Sequence, residues 1–237
     1  MPWGGNTVLY AHMFEFLTPT FIISVLIALS VHEWAHAYSA HKLGDATAKM
    51  EGRLTLSPLA HLDPVGTVMF VIVGFGWGKP VPVDPRYFKH YKRDTSIVAL
   101  AGPLSNLILA LFAFVALMLI SKQAAIAMGG GIIMGHEDMT VANLLLLELM
   151  SDFLRINLVL MAFNLLPIAP LDGSKIIRPF IPAKYDGRYQ DFMEQGPKIL
   201  LILIMLGMFL NVPILSMWIN LVITPVLQVF SIIAALL

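Results

Sequence analysis

Five stretches of the chain, residues 19–43, 95–120, 144–168, 198–212 and 214–236, are so consistently apolar that hydrocarbon, not water, is their natural solvent. A helix advances about 1.5 Å per residue, so about 20 apolar residues cross a hydrocarbon layer of about 30 Å. Backbone amides in that layer have no water to turn to, and intrahelical hydrogen bonding satisfies them within one segment. With 58% of the 237 residues apolar and only 13% charged, too few polar residues remain to cover a sizeable soluble domain. The expected fold is an all-α multi-pass membrane protein, a single domain over residues 1–237, with four to five transmembrane helices. The count turns on the C-terminal stretch, where Asn211-Val212-Pro213 separates the last two segments and two helices are expected.

Local signals bound these spans. Thr18 is a candidate cap, Pro19 suits a first helical position and Gly44 a left-handed stop, while Asp94 is a candidate cap for the second span. The third ends in Asn164-Leu165-Leu166-Pro167-Ile168-Ala169-Pro170-Leu171-Asp172-Gly173, where two prolines should unwind the helix. Residues 51–85 read differently, because Pro58, Pro64, Pro80, Pro82 and Pro85, with Gly66, Gly74, Gly76 and Gly78, punctuate them. They are expected to form a small membrane-associated β and loop region between the first and second spans. Within it the apolar piece 67–77 is too short to cross and should dip in as a re-entrant hairpin or a helix resting on protein. In Lys79-Pro80-Val81-Pro82-Val83 the prolines remove donors from one edge and Val81 and Val83 keep theirs on the other, so the segment can pair on one side only.

Inside the first span stands His32-Glu33-Trp34-Ala35-His36. Ionisable groups at membrane depth are costly and mark function, and an i, i+4 spacing lets two imidazoles on one helix face share a metal ion. At about 1.5 Å per residue, His32 lies about 20 Å from the helix start, past the midplane. Cysteine is absent, which leaves His, Asp and Glu as the candidate ligands. The formal net charge is zero and no cluster of Lys and Arg is present, so nothing here would hold a nucleic-acid backbone. Basic residues instead report orientation: eight run from Lys42 to Arg93, Lys122 stands alone between the second and third spans, and five run from Lys175 to Lys198. By the positive-inside rule the first span exits into the cytoplasm and Asp172 arrives on the same side, at the level of His36.

A catalytic zinc takes three protein ligands and keeps one position for water, so His32 and His36 need a third group, and Asp172 can supply an oxygen. Glu33 lies about 100° around the helix from His32, beside such a metal, where it can take a proton from water and return it to a leaving amine. Peptide hydrolysis is the reaction this constellation points to.

The HEWAH motif on a membrane helix, Ala101-Gly102-Pro103-Leu104-Ser105-Asn106 on the next span and the Asn164–Gly173 segment on the third resemble the site-2 protease family of intramembrane zinc metalloproteases. The resemblance covers nearly the whole chain, and residues 52–58 and 78–83 resemble the compact prokaryotic branch that lacks PDZ and CBS domains. It implies Zn2+ held by His32, His36 and Asp172, Glu33 as catalytic base, and Asn164 as a group that holds substrate backbone or donates to the oxyanion. It further implies a transmembrane protein as substrate, cut within or near its membrane segment, in a prokaryotic cell membrane with the active site nearer the cytoplasmic face. A helical substrate hides its carbonyls, so it must unwind, and the free donors of Val81 and Val83 offer an edge for an extended segment.

Two other functions fit parts of this pattern. A divalent metal transporter would place His and Asp in the membrane, but it has no use for Glu33 as a base and would show polar residues along several spans. A proteolytically idle homologue that binds membrane helices would tolerate loss of Glu33. Outside the motif, Gly102, Pro103, Ser105 and Asn106 are read as packing devices, and Asp152 with Arg155 as an interfacial ion pair. His12, His41, His61, His90 and His136 have no partner at metal spacing and are read as structural or solvated.

Overall fold

The structure, a computed structural model, describes residues 18–73, 76–120, 140–210 and 212–236; His12, Lys122, His136 and Asn211 lie outside the described residues. Its first helix, α1 (Pro19–Lys42), begins as expected, with the Thr18 hydroxyl accepting from the Phe21 amide and Pro19 in the first turn. It ends as expected too. Gly44 adopts φ +108°, and the amides of Gly44 and Asp45 return to the carbonyls of His41 and Ala40, satisfying groups the helix end would otherwise leave open.

Residues 51–85 hold the main departure. No strand forms among the described residues, and the sheet-like contact is an isolated antiparallel bridge between Leu62 and Gly78. After the single turn α2 (Thr47–Met50), the apolar run becomes a short helix, α3 (Pro64–Val73), entered through Asp63, whose carboxylate accepts from the Gly66 amide. This is the second of the two forms expected for the apolar piece, a helix in place of a re-entrant hairpin, and Asp63-Pro64 supplies its start. Phe70 of α3 stacks on Phe21 of α1, which seats α3 beside the start of the first span.

The remaining long helices are α4 (Tyr91–Ile120), α5 (Val141–Asn164), α7 (Asp186–Leu210) and α8 (Ile214–Leu236), with a short α6 (Asp172–Ile177) between α5 and α7. Helix α4 starts before the expected Asp94 cap, because the Asp94 carboxylate reaches back to the His90 amide from inside the first turn. Helix α5 ends at Asn164, ahead of the two prolines. The polar residues 186–197 prolong α7 well upstream of the expected 198–212 span: Asp186 pairs with Lys92 at 2.7 Å, and the Tyr189 hydroxyl donates to the Ser174 carbonyl. Helices α1, α4 and α8 are long and apolar enough to cross a membrane. Of the other two expected spans, α5 is as long but carries Glu148, Asp152 and Arg155, and α7 opens on several polar turns.

Packing centres on α1, α4 and α5, which contact one another pairwise, with α8 against α5 and α6 against α4. The buried stripe of α4 runs Val98, Ala99, Gly102, Pro103, Asn106, Ala110, Ala113, Phe114 and Leu117, at the three-to-four spacing of one helix face. Helix α1 answers with Ser24, Ala28, His32, Ala35 and His36. Small side chains on both faces allow close backbone approach, which is what drives helix association where lipid is as apolar as the protein. Farther along, Phe114 stacks on Phe230 with ring centroids 4.5 Å apart, among Leu117, Leu154 and Leu158. Replacing Phe114 by Ala is expected to cost about 3–5 kcal/mol, read as a lower thermal unfolding midpoint in detergent; an unchanged midpoint would remove this cluster from the determinants of the fold.

Candidate metal centre

His32 and His36 stand at i and i+4, and the turn of α1 sets their rings edge to face with centroids 4.6 Å apart. Asp172 comes from far along the chain. Leu165 caps α5, the chain turns through Pro167 and Pro170, and Asp172 opens α6 against α4. The three tips meet. The two imidazole Nε2 atoms are 3.0 Å apart, and Asp172 Oδ2 lies 3.2 Å from His32 Nε2 and 3.1 Å from His36 Nε2. All three residues are buried.

The other ring nitrogens show why this arrangement calls for a cation. His36 Nδ1 lies 2.7 Å from the carbonyl oxygen of Val98, which can only accept, so Nδ1 carries the proton and Nε2 presents its electron pair. His32 Nδ1 lies 2.7 Å from Asn106 Oδ1 and donates in the same way. In these tautomers three electron-pair donors face one another. Tetrahedral ligands at about 2.0–2.1 Å from zinc stand about 3.3 Å apart, so the observed edges fit such an ion within a few tenths of an ångström. Among the described residues, His32, His36 and Asp172 form the cluster competent to hold a metal.

Gly102 of α4 makes room for it. A Cβ at this position would collide with His36 Nε2 and would stand 2.5 Å from His36 Cε1 and 2.6 Å from His32 Cε1. The small-residue reading of Gly102 is thus incomplete, since the space it leaves is the flank of the imidazole pair.

Glu33 is buried next to this cluster in sequence, and its carboxylate is tied down on one side: the Val81 amide donates to Oε2 at 2.9 Å. The segment carrying Val81 is itself anchored at several points. Lys79 N donates to the His61 carbonyl, Arg53 Nη2 to the carbonyls of Lys79 and Pro80, and Asp84 N to Asp45 Oδ2. Arg86 hydrogen bonds hold the Asp84 carboxyl below the usual carboxylate range at the exposed end of this segment. The Val81 amide, expected on the donor edge beside Pro80 and Pro82, is committed to Glu33 within the chain. That contact joins residues far apart in sequence, and no local pattern announces it.

Asn164 ends α5 with its amide nitrogen donating to the Leu160 carbonyl at 3.0 Å, outside the three-atom cluster. Asp152 accepts from the Thr20 hydroxyl at 2.8 Å in place of the expected pair with Arg155. His61 is fully buried with Nε2 against the Thr55 carbonyl, a structural role as expected. Asn106, expected to serve packing, bonds to His32. A polar amide on the buried stripe of an apolar helix was the available signal.

The family profile of peptidase family M50 matches residues 20–207 of the chain. Three relatives carry the name "Putative zinc metalloprotease". YwhC of Bacillus subtilis (strain 168) is 39% identical over 202 residues, covering 84% of this chain and 87% of its own. Rip2 of Mycobacterium tuberculosis (strain ATCC 35801 / TMC 107 / Erdman) is 31% identical over 187 residues, 75% of this chain and 63% of its own. MJ0611 of Methanocaldococcus jannaschii is 33% identical over 168 residues, 68% of this chain and 73% of its own. No solved structure matches.

Replacing Gly102 by Ala is expected to push the two imidazoles off their present positions and lower metal affinity by roughly tenfold or more. Metal analysis of the purified variant against a competing chelator reads this directly, and wild-type affinity would contradict the close approach of α4 to the rings.

Proposed function

The chain belongs to peptidase family M50, and on that premise we propose that it is an intramembrane zinc endopeptidase that hydrolyses a peptide bond within or near a transmembrane segment of another protein. The observation that carries this reading is the convergence of His32 Nε2, His36 Nε2 and Asp172 Oδ2 within 3.2 Å of one another, with a glutamate adjoining the first histidine. His32, His36 and Asp172 would hold the zinc, which when bound would polarise a peptide carbonyl and bring the pKa of water to about 7.

Proton handling falls to Glu33. With Oε2 held by the Val81 amide, Oε1 has no hydrogen-bond partner among the described residues and is free to take a proton from water and deliver it to the leaving nitrogen. The Val81 bond also fixes the carboxylate's direction. Asn164, at the end of α5, holds the extended substrate backbone or donates to the developing oxyanion through its side-chain amide, after release from Leu160. The substrate is a membrane protein, a reading supported by the position of the site on an apolar helix long enough to span, past its midpoint. This end of α1 faces the cytoplasmic side of the membrane, a prokaryotic cell membrane in this reading, which the excess of Lys and Arg in the flanking loops supports.

Replacing Glu33 by Gln keeps the shape and the Val81 bond but removes the base. In detergent or liposomes the variant should retain zinc and lose cleavage of a transmembrane substrate by roughly 10²–10⁴-fold. Wild-type turnover would contradict the mechanism, and metal flux through liposomes that the substitution leaves intact would point to transport.

A further inference from the structure

Two asparagines sit fully buried where the three central helices cross: Asn106 on α4 and Asn157 on α5. Their contacts form a line. Asn157 Nδ2 donates to the Phe153 carbonyl at 2.8 Å; Asn106 Nδ2 donates to Asn157 Oδ1 at 2.9 Å and to the Ala28 carbonyl at 3.3 Å; Asn106 Oδ1 faces His32 Nδ1 at 2.7 Å.

The line has one possible polarity. A backbone carbonyl only accepts, so Phe153 dictates that Asn157 turns its nitrogen toward it and its oxygen toward Asn106. That oxygen, together with the Ala28 carbonyl, dictates that Asn106 presents its nitrogen there and its oxygen to His32. Turning either amide over would set oxygen against oxygen in a site without solvent access, at the cost of unsatisfied buried polar groups. His32 Nδ1 must therefore carry the proton, and the ring's Nε2 is left bare toward His36 and Asp172. Each step crosses from one helix to the next. The carbonyl of Phe153, on α5, thus determines which nitrogen of a ring on α1 is free to bind a metal.

We propose that Asn106 and Asn157 are positioning residues that act in series to fix the tautomer and ring plane of His32 for metal binding. Neither touches the metal site itself except through this ring. A structural role alone, filling space between helices, would be served by an isosteric apolar side chain, whereas the series requires an acceptor at His32 and an amide behind it to orient that acceptor. Removal of the group behind a metal-ligating histidine typically weakens metal binding by roughly 10–100-fold.

This inference rests on the zinc reading of His32, His36 and Asp172, and the test separates the two. The full chain, purified in detergent, is titrated with Zn(II) against a chromophoric chelator and with Co(II), whose visible spectrum reports the ligand field. Asn106→Leu and Asn157→Leu are expected to weaken Zn(II) binding by roughly 10–100-fold and to shift the Co(II) bands. Asn106→Asp, which keeps an oxygen facing His32 Nδ1 and, as the neutral carboxylic acid, an O–H in place of the amide donor toward Asn157 Oδ1, should recover affinity to within a few-fold of the wild type, as roughly expected when both the acceptor and the group behind it are kept. If Asn106→Leu does not fold, the comparison of Asn106→Asp and Asn157→Leu with the wild type decides the matter. Wild-type affinity and an unshifted Co(II) spectrum in Asn157→Leu would overturn the proposal, as would an Asn106→Asp variant that folds and binds Zn(II) as weakly as the leucine variants. Failure of the underlying zinc reading looks different: His32→Ala would then bind Zn(II) as well as the wild type, whatever the asparagine variants do.

Discussion

Three electron-pair donors drawn to within 3.2 Å of one another in a buried site repel unless positive charge lies between them. Much of the molecule serves to hold them there. Helix α1 contributes two of the three through a single turn, the break after α5 delivers the third, and α4 leaves space for the rings at Gly102 while its Val98 carbonyl and Asn106 amide claim their outer nitrogens. The close crossing of α1, α4 and α5 at small residues is therefore a condition for the site as well as for the fold. In hydrocarbon the usual driving force for burying apolar surface is missing, so packing and polar contacts between helices carry a larger share of the specification.

The segment between α3 and α4 extends this economy to the Glu33 carboxylate. Lacking strand partners, it is pinned by side chains and carbonyls at Lys79, Pro80 and Asp84, and between these pins the Val81 amide holds Glu33. The prolines on either side have no amide hydrogen to compete for the same acceptor. Substrate held along this segment would lie next to the proposed base, which offers a physical reason for an extended, proline-flanked stretch at this point of the chain.

Much of this was legible from residues alone where the cause is local. Thr18-Pro19 and Gly44 bound α1 as their backbone preferences require, and Pro167 and Pro170 lie just past the end of α5. His32 and His36 follow from helical spacing, while loop charge indicated only a shared membrane level for His36 and Asp172, and their contact depends on how the chain breaks after α5. Residues 51–85 were harder, because their prolines and glycines signal extended, turning backbone without naming its partners, and side-chain and carbonyl contacts hold it where strands were expected. The polar opening of α7 was not legible as helix either, since contacts with Lys92 and Ser174 stabilise it from outside the segment. Nor were the pairings of Val81 with Glu33 and of Asn157 with Asn106, each of which joins elements more than forty residues apart. An amide in an apolar helix signals that some partner exists without naming it.

Zinc-edge X-ray absorption on the purified, zinc-loaded protein tests the central claim most directly. The account predicts one zinc per chain with nitrogen and oxygen neighbours at about 2.0–2.1 Å and multiple-scattering features of two imidazoles. A spectrum lacking two imidazole contributions, or unchanged when Asp172 is replaced by Ala, would contradict it.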